Sequence, residues 1–287
     1  MKIHCIETGF FKLDGGAMFG VVPKSIWQKI NPADENNLCN WALRSLLIET
    51  DNRLILIDTG IGNKQAPAFL KHYFLNGADS LHLSLQKKGF KKEDITDVII
   101  THFHFDHCGG CVDIINENLL PAFPNAIYWC SEKQWMNVIN ANEREKSSYL
   151  KENIFPLHDA NVLKFVNNKN ISENDFLKEY FFLDNISLYE VNGHTAGMLL
   201  PKIITDKGSF VFMADLIPSV GHIPIPYVMG YDMQPLISMQ EKKIFLEKEI
   251  KTNTTLIFQH DPINEACKLT FNKNKIVADK MFKLGDF

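Results

Sequence analysis

Thr101-His102-Phe103-His104-Phe105-Asp106-His107-Cys108-Gly109-Gly110 is the stretch on which the reading of the chain turns. It packs three imidazoles and a carboxylate into the six residues from His102 to His107. Such a mixture of nitrogen and oxygen donors is borderline in softness and suits zinc, iron, nickel or manganese better than calcium or magnesium. Just upstream, Asp97-Val98-Ile99-Ile100 is a short apolar run with β-branched residues, and a Gly-Gly pair closes the stretch. The donors are therefore expected on a loop at the end of a buried strand. Alternation along the loop turns His102 and His104 towards one point and leaves Asp106 and His107 to reach a second. A lone histidine is usually an ordinary core or surface residue; four donors at this spacing point to the first half of a two-metal site.

Outward from that stretch, composition narrows the class. The chain has 287 residues, 45% of them hydrophobic, enough for one large domain with a sizeable core. A formal charge of -4 offers no basic footprint for nucleic acid. The opening Met1-Lys2-Ile3-His4-Cys5-Ile6-Glu7 lacks the apolar core and cleavage site of a signal peptide, and no run approaches the length of a membrane span. A cytoplasmic location is expected. The six cysteines are scattered and read as free thiols in a reducing compartment. Cys108 and Cys111 have Cys-x-x-Cys spacing, but no second pair completes a zinc knuckle.

Along the chain, residues 2–8 are expected as a strand, 14–16 as a turn, 18–22 as an extended piece and 23–40 mostly as loop. Two apolar runs, 42–49 and 53–57, flank Thr50-Asp51-Asn52 and predict a hairpin. Residues 80–88, ending at Gly89, predict a helix. A further helix is expected to open at Cys111 and run to Leu120, then a strand over 126–130. Ser131-Glu132-Lys133-Gln134 is a capping-box pattern that starts the next helix. Between about 140 and 180 the composition shifts to Asn, Lys, Glu and Ser with interspersed aromatics, which marks a cap insertion; Tyr149, Phe155, Leu157 and His158 are its pocket candidates. Strands are then expected over 186–191, 198–205 and 209–213, an amphipathic helix over 234–250 after Pro235, and a last strand over 254–258.

The run His102-x-His104-x-Asp106-His107 resembles the His-x-His-x-Asp-His signature of the metallo-β-lactamase superfamily. Gly193-His194-Thr195, Ala214-Asp215 and His260-Asp261 are similar to the family's later landmarks and follow in its order, so the resemblance extends over nearly the whole chain. It implies an α/β (α+β type) fold: a four-layer αββα sandwich of two mixed β-sheets with helices outside and the metal site at one sheet edge, formed by residues 1–287 as a single domain. It implies two divalent metal ions, zinc first, with iron, manganese, nickel or cobalt as alternatives. His102, His104 and His194 would hold one ion, Asp106, His107 and His260 the other, and Asp215 would bridge. Asp58, in an Asp-Thr-Gly turn, would accept the free ring N–H of a liganding histidine. The implied chemistry is hydrolysis of an ester, lactone or phosphoester by a metal-bridging hydroxide, with Asp106 as the catalytic group that handles its proton.

Substrate class is less sharply drawn. Acyl-homoserine-lactone lactonases carry a Tyr three residues after the bridging Asp, where this chain has Pro218. Ala214-Asp215-Leu216-Ile217 is somewhat closer to methyl-parathion-hydrolase-type members. His222, Tyr227, Tyr231 and Asp232, in the loop beyond, join His158 as substrate-pocket candidates. The alternatives are an oxidoreductase similar to the mononuclear-iron persulfide dioxygenases and a non-catalytic metal-binding sensor. Neither accounts as well for a full set of seven donors, because a structural site is closed by protein ligands and the iron enzymes need fewer. The expected partner is a small-molecule substrate, with no nucleic acid and no membrane; a homodimer is compatible with the sequence, which shows no interface for it.

Overall fold

Short apolar runs become strands here, and the order in which they pair decides where the donor loops emerge. A computed structural model describes residues 1–166, 170–173 and 177–286. The chain divides into two units, Met1–Gly9 with Leu43–Asn167, and Phe10–Ala42 with Asn168–Phe287. In chain order the first elements are β1 (Lys2–Asp14), α1 (Gly15–Phe19), α2 (Lys24–Trp27), β2 (Leu38–Glu49) and β3 (Leu54–Ile57).

In the first unit, β2 and β3 form the expected hairpin, antiparallel with Leu46 opposite Ile57 and closed by the Thr50 N–H donating to the Arg53 carbonyl at 2.9 Å. The crossover from β3 carries α3 (Pro67–Leu70) and α4 (Leu81–Lys87) to β4 (Asp97–Ile99). Ser80 caps α4 by accepting from the Leu83 N–H, and Gly89, at a φ of 87°, follows its end. After β4 come α5 (Phe105–Cys108), β5 (Val112–Ile115), β6 (Asn118–Pro121), β7 (Ile127–Cys130), α6 (Glu132–Ile139), α7 (Lys151–Asp159) and β8 (Leu163–Phe165). The six-stranded sheet runs β1-β2-β3-β4-β7-β8, parallel from β3 to β8. Leu47, Leu56, Val98 and Ile100 pack with Leu85, Tyr128, Ile154 and Leu157 in a core closed to solvent. Ile57 lies opposite Ile99, so Asp58 and the 101–107 loop leave neighbouring parallel strands together.

In the second unit β9 (Asn170–Glu173), β10 (Lys178–Leu183), β11 (Ile186–Val191), β12 (Met198–Thr205), β13 (Gly208–Phe212), α8 (Pro235–Glu249), β14 (Thr255–Ile257), β15 (Ala266–Asn272) and β16 (Lys275–Phe282) follow. Its sheet has the order β16-β15-β14-β13-β12-β11-β10-β9, antiparallel except for β13 and β14. Those two are parallel because α8 is the crossover between them. The helix is held to the sheet by the Tyr189 hydroxyl and the Lys202 ammonium, both 2.9 Å from the Glu249 carboxylate. Two mixed sheets with helices are the α/β class that the resemblance implies.

Three local expectations are corrected. Residues 15–19 are helical where a turn at 14–16 and an extended piece from 18 are expected, because Asp14 caps them by accepting from the Ala17 N–H at 2.8 Å. Residues 112–121 are a hairpin rather than a helix, with Asn116 and Glu117 both at positive φ, 49° and 65°. Residues 38–40 belong to β2 rather than to a loop. The stretch from 140 to 180 holds a short turn at 146–148, α7, β8, β9 and the start of β10; its residues 167–169 and 174–176 lie outside the described residues. All six cysteines are free thiols. Among the described residues no helix is long and apolar enough to cross a membrane.

Candidate metal centre

The donor loop of the first unit is fixed from beneath. Asp58 sits at a φ of 55°, a left-handed conformation that Asp tolerates better than most residues. Its carboxylate accepts from the Thr101 N–H at 2.8 Å and the Thr101 hydroxyl at 2.7 Å, and lies 3.0 Å from His107 Nδ1. The Gly-Gly pair allows the backbone to pass close: a Cβ on Gly109 would stand 2.0 Å from the Ile61 carbonyl oxygen. Thr59 N–H then donates to the His107 carbonyl at 2.8 Å. On this frame His102 Nε2 and His104 Nδ1 face each other at 3.0 Å, and His107 Nε2 lies 3.5 Å from Asp106 Oδ2. His102 and His107 are fully buried; His104 and Asp106 are 8% exposed.

The second unit builds its own donor set at strand ends. His194 follows β11, Asp215 follows β13 and His260 follows β14. His194 Nε2 is 3.2 Å from one Asp215 oxygen and His260 Nε2 is 3.1 Å from the other. The remaining ring nitrogens are committed elsewhere: His194 Nδ1 lies 2.9 Å from Asp232 Oδ1 and His260 Nδ1 lies 2.8 Å from the Ala42 carbonyl. Because a carbonyl only accepts, His260 carries a proton on Nδ1, and the neutral ring then presents its lone pair at Nε2. The same reasoning applies to His194 against Asp232 and to His107 against Asp58. With the rings neutral, lone pairs converge on carboxylate oxygens, acceptor on acceptor, an arrangement that a cation between them satisfies. Buried nitrogen and oxygen donors of this kind fit divalent transition metals.

The loop bearing His194 is held by α8. Glu241 accepts from the backbone N–H groups of Asn192 at 2.6 Å and Gly193 at 2.9 Å, and a Cβ on Gly193 would meet Ser238 at 2.3 Å. Ala214, just before Asp215, has a φ of 40°, an unusual conformation that turns the chain at the end of β13.

The pocket candidates are dispersed. His158 is exposed near the end of α7, stacked on Trp135 with centroids 5.0 Å apart and 3.3 Å from Asp159. Tyr149 and Leu157 are buried. His222 is sealed from solvent, stacked on Phe19 at 4.4 Å, with its Nδ1 on the Ser219 hydroxyl and its Nε2 on the Met18 carbonyl. Both its nitrogens are used in packing, so in this structure it lines no open pocket, and burial lowers its pKa to about 3. Tyr227 is half-buried and Tyr231 is 37% exposed. Burial raises the Cys108 thiol well above its usual range and pushes Cys111 to about 12, which keeps the Cys-x-x-Cys pair protonated and unreactive. Sequence reading missed Glu145, 3.3 Å from His104 Nε2, because 41 residues separate them and no short motif joins them.

An α/β fold with histidines and carboxylates grouped at its strand ends is the architecture of a metal-binding protein. The sequence pattern of the metallo-beta-lactamase superfamily matches residues 44–260, and the chain belongs to that superfamily. It is 32% identical over 88 residues to a probable metallo-hydrolase of Mycobacterium tuberculosis, a match that spans about a quarter, 26%, of that protein's length. To an N-acyl homoserine lactonase of Bacillus cereus it is 26% identical over 282 residues, covering 93% of this chain and 96% of that protein. Among solved structures, a probable metal-dependent hydrolase from Staphylococcus aureus superposes with a TM-score of 0.83 at 28% identity, covering 98% of each chain. A dizinc quorum-quenching lactonase in complex with a product, N-hexanoyl-L-homoserine, gives 0.77 at 23% identity, over 98% of this chain and 95% of that one, a likeness of fold.

Proposed function

We propose that this protein is a binuclear metal-dependent hydrolase of small lactones, esters or phosphoesters. His102, His104 and His194 hold one ion, Asp106, His107 and His260 hold the second, and Asp215 bridges. The observation that carries this reading is the Asp215 carboxylate, whose two oxygens each face the Nε2 lone pair of a different histidine. One ion cannot relieve both contacts as well as two, and negative charge between two cations is what a pair of divalent ions requires.

When bound, the ions supply a hydroxide near neutral pH, by lowering the pKa of water from roughly 16 to roughly 7, and a Lewis acid for the substrate's carbonyl or phosphoryl oxygen. The chain's own residues do the rest. Asp58, Asp232 and the Ala42 carbonyl hold His107, His194 and His260 in the tautomer that frees Nε2. The Asp106 carboxylate, through the oxygen not given to the ion, accepts the nucleophile's proton and returns it to the leaving oxygen. Zinc is the first metal to expect from the donor set. The likeness to an N-acyl homoserine lactonase over 93% of the chain supports a lactone or related ester as substrate, while Pro218 stands where such lactonases carry Tyr, so the acyl lactones are the first substrates to test rather than the assigned ones. Residues 1–287 working as one domain with an insertion at about 140–180 is part of the same reading, and free thiols support a cytoplasmic setting.

The test is metal content per chain in wild type and His260→Ala, with rates on acyl homoserine lactones, aryl esters and phosphotriesters. About two divalent ions in the wild type, falling towards one in the variant, with turnover of one of these classes, is the expected result. One iron per chain, unchanged without His260, overturns it.

A further inference from the structure

The reach of a buried carboxylate from the 140–180 stretch to the donor loop carries a role that the donor motif does not contain. Glu145 is 2% exposed. Its oxygens are divided between two tasks. Oε2 accepts from the Asn137 amide at 3.0 Å and from the Asn142 amide at 3.5 Å, which anchors the group to the end of α6 and the turn that follows. Oε1 accepts from the Tyr149 hydroxyl at 2.5 Å and lies 3.3 Å from His104 Nε2. Tyr149 is itself held by the amides of Asn137 at 2.8 Å and Gln134 at 3.2 Å, and its ring packs beside that of His104, tilted by 40° with centroids 5.4 Å apart.

A carboxylate only accepts, so a hydrogen bond from His104 to Glu145 puts the imidazole proton on Nε2 and leaves the lone pair on Nδ1. Nδ1 is the nitrogen 3.0 Å from His102 Nε2. Two ring nitrogens sharing a tetrahedral zinc at about 2.0–2.1 Å stand roughly 3.3 Å apart, so the pair is already set close to the spacing an ion needs. Without Glu145 the ring could carry its proton on either nitrogen and turn about its side-chain bonds. We propose that Glu145 is a positioning residue for His104, clamped by Tyr149, and that the 140–180 stretch thereby sets the affinity of the ion that His102 and His104 hold. This inference rests on the metal-centre reading above. It adds a residue outside the donor motifs and ties the stretch where the composition shifts to Asn, Lys, Glu and Ser to the metal rather than to the substrate alone.

The test is zinc affinity by competition with a chromophoric chelator, for wild type, Glu145→Gln and Tyr149→Phe, beside the thermal midpoint of each metal-stripped protein. Glu145→Gln keeps size and hydrogen-bonding capacity but loses the charge that favours the Nε2–H tautomer. Its expected effect is a 10- to 100-fold loss of affinity, on the order found for groups that orient metal-bound histidines, at one of two ions only. Tyr149→Phe, which frees the carboxylate without removing it, should lose less, and both metal-stripped variants should melt within a few degrees of wild type. The imidazole 15N shifts of His104 in the metal-stripped wild type should report a proton on Nε2, which a merely structural role for Glu145 would not require. If wild type binds two zinc ions and Glu145→Gln binds both as tightly, the positioning role is wrong and the metal centre stands. If wild type binds no divalent ion at all, the metal reading fails and this role with it.

Discussion

His222 shows how far a single side chain can be read from its type. In the sequence it is a histidine in a loop after Asp215, open to a role at a pocket; in the structure its ring is a packing element between Phe19 and Trp41, 4.4 and 6.0 Å away. Burial holds it neutral, with a pKa near 3 against an ordinary 6.5. The sign follows directly: the unfolded chain takes up a proton below pH 6.5 that the folded ring refuses until about pH 3, so stability is full above 6.5 and drains as pH falls through that window. The loss should approach about 1.4 kcal/mol per pH unit at most. Denaturation of the metal-stripped protein between pH 6.5 and 4.5 should therefore show a steeper acid loss for wild type than for His222→Gln. Equal slopes would mean that this ring is not the group responsible. The donors in the 101–107 run were legible because four of them fall within six residues, where chance placement is rare. Asp232 and Glu145 were not legible as the partners of His194 and His104, since 38 and 41 residues of chain intervene and only the fold brings each pair within 3.3 Å.

At the scale of elements, what was legible depended on whether a local rule decided the conformation. The β2–β3 hairpin and α4 were readable because apolar runs, a polar turn, Ser80 and Gly89 all agree. The β5–β6 hairpin was not, because its two turn residues adopt positive φ as Asn116-Glu117, without the glycine that usually signals such a turn. The β15–β16 hairpin was missed for a related reason: Lys273 and Asn274 sit at φ of 46° and 64°, again without a glycine, and of its strand residues Ala266 and Cys267 alone are buried, so no buried alternation marks them. Helix α8 was expected from its apolar spacing, but its part in the site rests on a polar residue, Glu241, which satisfies two backbone N–H groups of the loop leading to His194. Glu241→Leu removes both acceptors and leaves those donors poorly paired in the interior, at a cost of about 2–3 kcal/mol. Urea denaturation of the metal-stripped protein measures that loss, and zinc affinity should fall with it because His194 loses its fixed base. A variant as stable as wild type would show that the loop is held by other contacts.

For the whole molecule, the metal reading makes stability a function of the ion. The proposed donors run from His102 to His260, so an unfolded chain keeps at best the local 102–107 cluster and binds weakly, whereas the folded chain offers all seven. An ion that binds the folded state alone, at 100 times its dissociation constant, adds about 2.7 kcal/mol. In a chain of 287 residues that corresponds to a rise in thermal midpoint of roughly 4–5 °C per ion. Stripping the ions with a chelator should lower the midpoint by that amount, and stoichiometric zinc should restore it. Magnesium should not, since it prefers six oxygen donors and keeps its waters, while five of the seven proposed donors are imidazoles. Equal recovery with zinc and magnesium would mean that the ion is held by surface carboxylates, and the assignment of the histidines to a metal centre would have to be abandoned.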